Sequence, residues 1–211
     1  MAELKAASVN YDSNDSAPSF VQKGGAVLLD RDGVITQQTA FVNEPDDLIL
    51  IDGAATAIAR LNQAGWPVAI ITNQGGIAMG YLTEDMLHTI HGKLEHLLAE
   101  EGAHVDAIFY CAHHEHAKLP QYKTDCQCRK PNIGMLEQAR DKLDIDLSKS
   151  VVVGDRTTDI LAGIRGGCST ILVETGSAGK DREIVAEPNV VVEDLSAAVD
   201  LILSRFKSEG T

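Results

Sequence analysis

Three apolar runs in this chain each end on an oxygen-bearing side chain. AVLLD ends at Asp30, PVAIIT ends at Thr72 with Asn73 next, and SVVVGD ends at Asp155. Short, nearly continuous apolar runs of β-branched residues are strands buried on both faces. Segments with helical spacing lie between them. GAATAIARLNQAG (53–65) spaces Ile58 and Leu61 helically, and Gly65 closes it. TEDMLHTIHGKLEHLLAEEG (83–102) puts Met86, Leu87, Ile90, Leu94, Leu97 and Leu98 on one face. Thr83 suits its cap, and Glu84 and Asp85 suit its positive end. VDAIFYC, STILVET and NVVVE read as further strands. NIGMLEQARDKL, with Asn132 as its cap, TTDILAGIRGG and DLSAAVDLILSRF read as helices. This alternation predicts an α/β fold: a Rossmann-like parallel sheet, helices on both faces and no large cap domain.

The length of 211 residues suits one domain, and 44% hydrophobic residues suffice for its core. Residues 1–24 are polar and read as a flexible tail, leaving 25–211 as the domain. The tail has neither an apolar core nor arginine, so it reads as neither signal nor transit peptide. No run approaches the ~18 apolar residues of a membrane span. A cytosolic protein with reduced thiols is the expectation, with no membrane partner. The net charge is −13 and no basic run occurs, which argues against nucleic acid as a partner. A monomer is expected.

In an open α/β sheet, ligands sit beyond the carboxyl ends of the strands. Asp30 and Asp32, two apart across a turn, can divide the roles of nucleophile and general acid or base. Asp155 follows another strand, with Asp159 four residues on. Each pair alone is ordinary turn chemistry. Together they bury enough negative charge to require a compensating cation, for which Mg²⁺ is the natural choice. Arg31, Arg129, Lys130 and Arg156 fall beside these carboxylates and suit a phosphate clamp.

Three of the four cysteines fall between residues 111 and 128. Cys126 and Cys128 are too close for an easy mutual disulfide. Cys111-x-His113 and Cys126-x-Cys128 instead form a Cys₃His set that suits a structural Zn²⁺, with His114 and His116 as rivals to His113. The intervening loop is poor in apolar residues, so zinc is expected to order it and to aim Arg129 and Lys130. Cys168 reads as a buried thiol.

These features resemble the haloacid dehalogenase superfamily of phosphatases over nearly the whole chain after Gly25. Asp30-x-Asp32-Gly33 is similar to its first motif, Thr72-Asn73 to its second, Lys130 to its third and Gly154-Asp155-x-x-x-Asp159 to its fourth. The resemblance implies that Asp30 is the nucleophile and Asp32 the general acid and base. It also implies that Thr72 and Lys130 stabilise the phosphoryl group. Mg²⁺ would be held by Asp30, the Asp32 carbonyl and Asp155. C-x-H, a loop and C-x-C-R-K-P resemble the zinc loop of a subset acting on heptose bisphosphates or histidinol phosphate. Twelve residues separate His113 from Cys126, as in the longer loop of the heptose group. The same alignment implies sugar contacts from Gln38, Thr39, Ala40 and Phe41 and from Thr72, Asn73, Gln74 and Gly75. Arg31, Arg129 and Arg156 would bind the phosphorylated sugar. Gly75 and Met79 stand where that group has serine and arginine, which removes one basic contact. Two rival readings remain: another phosphomonoesterase, acting on histidinol phosphate or a DNA 3′-phosphate, and a zinc-binding module with an inactive fold.

Overall fold

A computed structural model describes residues 23–38, 42–181 and 184–206. Most of the expected tail therefore lies outside the described residues, as do Thr39, Ala40 and Phe41. Six strands form one parallel sheet: β1 (Val27–Leu29), β2 (Val68–Asn73), β3 (Ala107–Cys111), β4 (Val151–Gly154), β5 (Ser169–Val173) and β6 (Val190–Val192). Their order is β3-β2-β1-β4-β5-β6. The chain winds outward from β1 in both directions, so the switch point falls between β1 and β4.

Strand residues alternate between two cores, because successive side chains leave opposite faces. Val27, Leu29, Val68, Ile70, Val151 and Val153 pack with α1 (Ala54–Gln63), α3 (Glu84–Glu100) and α6 (Leu195–Phe206). Leu28, Ala69, Ile71 and Val152 pack with α4 (Gly134–Leu143) and α5 (Thr157–Gly166). The register enforces this division: Leu28 lies opposite both Ala69 and Val152. Each fully buried Leu or Ile contributes roughly 1.5–3 kcal/mol, so both layers hold the strand ends in place.

The expected elements are present, with three local differences. A short helix, α2 (Gly75–Ala78), occupies what reads as loop. Met86 is exposed, because the buried face of α3 runs through Leu87, Ile90, His91, Leu94 and Leu98. Asn132 does not cap α4: Ile133 holds the N-cap position, and Asn132 Nδ2 donates to Cys126 O at 2.8 Å. Thr83 does cap α3, accepting from Met86 N–H at 3.1 Å. Among the described residues no helix is long and apolar enough to cross a membrane.

Candidate active site and metal centres

Strand β1 delivers the first carboxylate. Pairing continues one residue past the strand, where Asp30 N–H donates to Val153 O at 2.9 Å. The chain then turns, with Arg31 O accepting the N–H groups of Ile35 and Thr36, each at 2.9 Å. Gly33 makes this turn at φ +89°, and a Cβ there would lie 2.6 Å from Asp155 Oδ2. Gly154 is small for a similar reason, since a side chain at that position would run into Asp159.

Asp30, Asp155 and Asp159 are all buried, and one oxygen of each lies within 4.8 Å of the others. Lys130 Nζ enters this group, 2.9 Å from Asp30 Oδ1 and 2.6 Å from Asp159 Oδ1. It also donates to Ile71 O at 2.7 Å. Burial opposes the charge on Lys130, but Asp159 and Asp30 outweigh it and hold the ammonium above its ordinary range. Burial likewise pushes Asp30 up to about 7; Lys130 pulls against this while Asp159, Asp155 and Asp32 add to it. Asp155 is pushed up to about 6 by burial, even though Ser177 N–H donates to its Oδ2 at 2.6 Å. Its Oδ1 is buried without a hydrogen-bond partner.

Three carboxylates facing one ammonium leave excess negative charge where water cannot compensate it. The donors are hard oxygens, and one of them is orphaned. That donor set fits a divalent cation such as Mg²⁺.

Asp32 lies in a different environment. Its carboxylate is not among the three; Arg31 Nε and Nη2 hold its two oxygens at 3.0 and 2.7 Å. Gln74 Nε2 donates to it at 2.9 Å and Thr36 Oγ1 at 3.1 Å. Burial pushes the Asp32 carboxyl up, but Arg31 and these hydrogen bonds outweigh it and hold it below the usual range.

A cavity of about 430 Å³ opens over these groups. It is lined by Asp30, Asp32, Thr72 and Lys130, with Arg31, Gln38, Asn73, Gln74, Gly75, Met79, Arg129, Arg156 and Asp159. Two of these lining residues turn their polar groups toward the protein. The Arg31 side chain is 1% exposed and faces Asp32. Asn73 brackets the Lys130 peptide, with Nδ2 donating to Lys130 O at 3.1 Å and Lys130 N–H donating to Oδ1 at 3.0 Å. Gln74 also donates to Thr72 Oγ1 at 2.9 Å. Asn43, Tyr81, Leu82, His114 and Thr158 join the lining without any signal that local sequence offered.

The cysteine pairs converge beside this cavity. Cys111, His113, Cys126 and Cys128 each point one ligand atom into a group within 4.8 Å. Cys111 Sγ lies 3.6 Å from both His113 Nδ1 and Cys126 Sγ, and His113 Nδ1 lies 3.3 Å from Cys128 Sγ. Ligands ~2.3 Å from a tetrahedral zinc would stand roughly 3.7 Å apart, so the cluster fits that ion. The Cys111–Cys128 pair is tighter, at 3.0 Å. His114 and His116 are not in the cluster; His114 Nδ1 accepts His116 N–H at 3.0 Å.

The cysteine loop also has anchors beyond the cluster. Lys118 and Leu119 N–H both donate to Ala78 O of α2, at 2.9 and 3.1 Å. Tyr122 OH donates to Glu84 at 2.8 Å. Arg129 Nη1 donates to His113 O at 3.1 Å, which ties the first cation to the cluster. Cys168 is buried apart from these, its thiol pushed up to about 12 by burial.

Carboxylates and one buried lysine at the switch point of a doubly wound parallel sheet define a hydrolase of the haloacid dehalogenase type. A family model described as HAD-hydrolase-like matches residues 127–198. A D-glycero-D-manno-heptose-1,7-bisphosphate 7-phosphatase of Thermosynechococcus vestitus is 42% identical over 86% of this chain and 96% of its own length. The Haemophilus influenzae D-glycero-beta-D-manno-heptose-1,7-bisphosphate 7-phosphatase is 39% identical over 86% of this chain and 98% of its own. The crystal structure of the D,D-heptose 1,7-bisphosphate phosphatase of B. bronchiseptica, complexed with magnesium and phosphate, matches with a TM-score of 0.77. That structure shares 39% identity and covers 85% of this chain and 98% of the other. The chain belongs to the heptose bisphosphate phosphatase family of haloacid-dehalogenase-like hydrolases.

Proposed function

We propose that this protein is a magnesium-dependent phosphomonoesterase that removes the C7 phosphate of D-glycero-D-manno-heptose 1,7-bisphosphate. The observation that carries this reading is the cavity lined by Asp30, Asp32, Lys130 and Asp159, with Asp155 grouped behind Asp30 and Asp159. The family's shared name supplies the substrate.

Asp30 attacks phosphorus as the bond to the C7 oxygen breaks. Asp32 gives that oxygen a proton, leaving heptose 1-phosphate and an aspartyl-phosphate. Water then attacks phosphorus, Asp32 takes its proton, and phosphate leaves Asp30 as a free carboxylate. The grip of Arg31 keeps resting Asp32 ionised. That state suits the second step. For the first step Asp32 takes up a proton from solvent before the ester bond breaks, and the attack of water in the second step returns that proton to it. Lys130 and Thr72 face the phosphoryl oxygens, where charge must be neutralised in the transition state. Mg²⁺, held by Asp30, Asp155 and Asp159 with the Asp32 carbonyl, would neutralise the buried carboxylates and the same oxygens.

Arg156 and Arg129 recognise the substrate. Arg129 also borders an adjoining cavity of about 840 Å³ that includes Lys123 and Asn132, and this reading puts the retained C1 phosphate there. Zn²⁺ on Cys111, His113, Cys126 and Cys128 would be structural, because four protein ligands leave no open position. The protein acts as a monomer and binds no nucleic acid in this reading.

A phosphate-release screen tests it, using heptose and other sugar bisphosphates, histidinol phosphate and a 3′-phosphorylated oligonucleotide. Fastest release from the heptose bisphosphate is expected. Faster release from histidinol phosphate or the oligonucleotide would overturn the substrate. No release from any of them would leave a zinc-binding module.

A further inference from the structure

Arg31 is among the largest side chains fully buried in the described residues. Among the described residues it is the only group that binds both oxygens of Asp32. Its remaining nitrogen, Nη1, lies 3.3 Å from Nε2 of His91. A guanidinium has no acceptor, so Nη1 donates and His91 Nε2 presents its lone pair. His91 is buried on the core face of α3, beside Leu87 and Leu94. Burial, and then the charge of Arg31, hold it down at about 3, so the ring is neutral. The ring packs edge-on against Tyr110, with centroids 6.0 Å apart. The Tyr110 hydroxyl is itself fixed, donating to Glu84 Oε2 at 2.6 Å.

A guanidinium fork held at one edge by a carboxylate can still tilt about its Nε. A second contact at Nη1 sets the plane of the fork and hence the plane of the carboxylate it grips. We infer that His91 is a positioning residue for the hydrolysis, acting through Arg31 to set the orientation of the Asp32 carboxylate. This rests on the role proposed above for Asp32. A core histidine that only fills space would be replaced by leucine without kinetic consequence.

The test compares His91→Leu, which keeps the apolar volume, with His91→Gln, whose Oε1 can accept from Arg31. Phosphate release from the heptose bisphosphate is measured with saturating Mg²⁺. In His91→Leu, kcat should fall roughly 10- to 100-fold, the scale on which small misplacement acts, with KM within about threefold. His91→Gln should recover most of kcat. In an Asp32→Asn background, His91→Leu should add little further loss. Normal kcat in His91→Leu would overturn the inference, as would a change confined to KM, equal loss in both variants, or a full further loss in the Asp32→Asn background. If His91→Leu does not fold, His91→Gln and His91→Asn decide: both place an acceptor on the helix, but only glutamine reaches Nη1, so equal kcat in the two overturns it. An inactive wild type would instead sink the proposed function itself.

Discussion

The carboxylate site and the cysteine cluster both lie at the carboxyl ends of the sheet, yet they are held by different means. Asp30 and Asp155 follow directly from β1 and β4, and the Lys130 ammonium, bonded to Ile71 O within β2, meets Asp30 and Asp159. Two apolar layers fix those strands, so the positions of the carboxylates are set by the core. The cysteine pairs sit on either side of a loop whose middle is pinned at Ala78 and Glu84. What joins its two ends is the Cys₃His cluster. The core thus sets the chemistry, whereas the Cys₃His cluster and the bond from Arg129 to His113 O set the loop that presents Arg129.

Substitutions should separate the two regions. Asp30→Asn removes the proposed nucleophile, and kcat should fall by about 10⁴-fold or more while zinc content stays at wild-type level. Asp32→Asn should cost on the order of 10²–10⁴ in kcat, the usual contribution of an acid or base. Retention of full activity by either variant, in a steady-state phosphate-release assay, would break the assignment.

A third consequence concerns pH. Asp30 and Asp155 are raised to about 7 and about 6 in the metal-free protein. Protons therefore compete with Mg²⁺, and Mg²⁺ affinity measured by calorimetry should weaken as pH falls from 8 to 5.5. The same shift bears on stability. A folded-state value above the unfolded one gives stability that is present below the unfolded value, near 3.8, and lost as pH rises through about 7. Metal-free wild type should therefore lose melting temperature between pH 5 and 8 relative to Asp30→Asn, and Mg²⁺ should restore it. The smallest effect is expected at Thr83, where alanine removes only the cap of α3. It should cost about 1 kcal/mol, seen in thermal unfolding, and leave kcat unchanged.

The strand ends were legible because a buried strand that stops at a carboxylate is a local pattern. The cysteine pairs were legible because ligand spacing is local too. Partners distant in sequence were not. Arg31 and Asn73 line the cavity, and nothing in the local sequence signals that their polar groups also meet His91 and the Lys130 peptide. Helix α2 was hidden because its GGIA sequence has little helix propensity and draws support from the N–H groups of Lys118 and Leu119. Asn132 has the chemistry of a cap, but closure of the cysteine loop brings Cys126 O to its side chain. His91 carried a faint signal, as a polar residue on the apolar face of α3.

The division of labour between the two regions is tested most directly by the kinetics of Cys128→Ser, with zinc measured on the same sample. Loss of zinc should leave the sheet folded and Lys130 anchored by Asn73, Asp30 and Asp159. Arg129 should lose its orientation, so kcat/KM should fall about 10- to 100-fold, mostly through KM. A zinc-free variant with wild-type kcat/KM would contradict the claim that the cysteine cluster organises the substrate site.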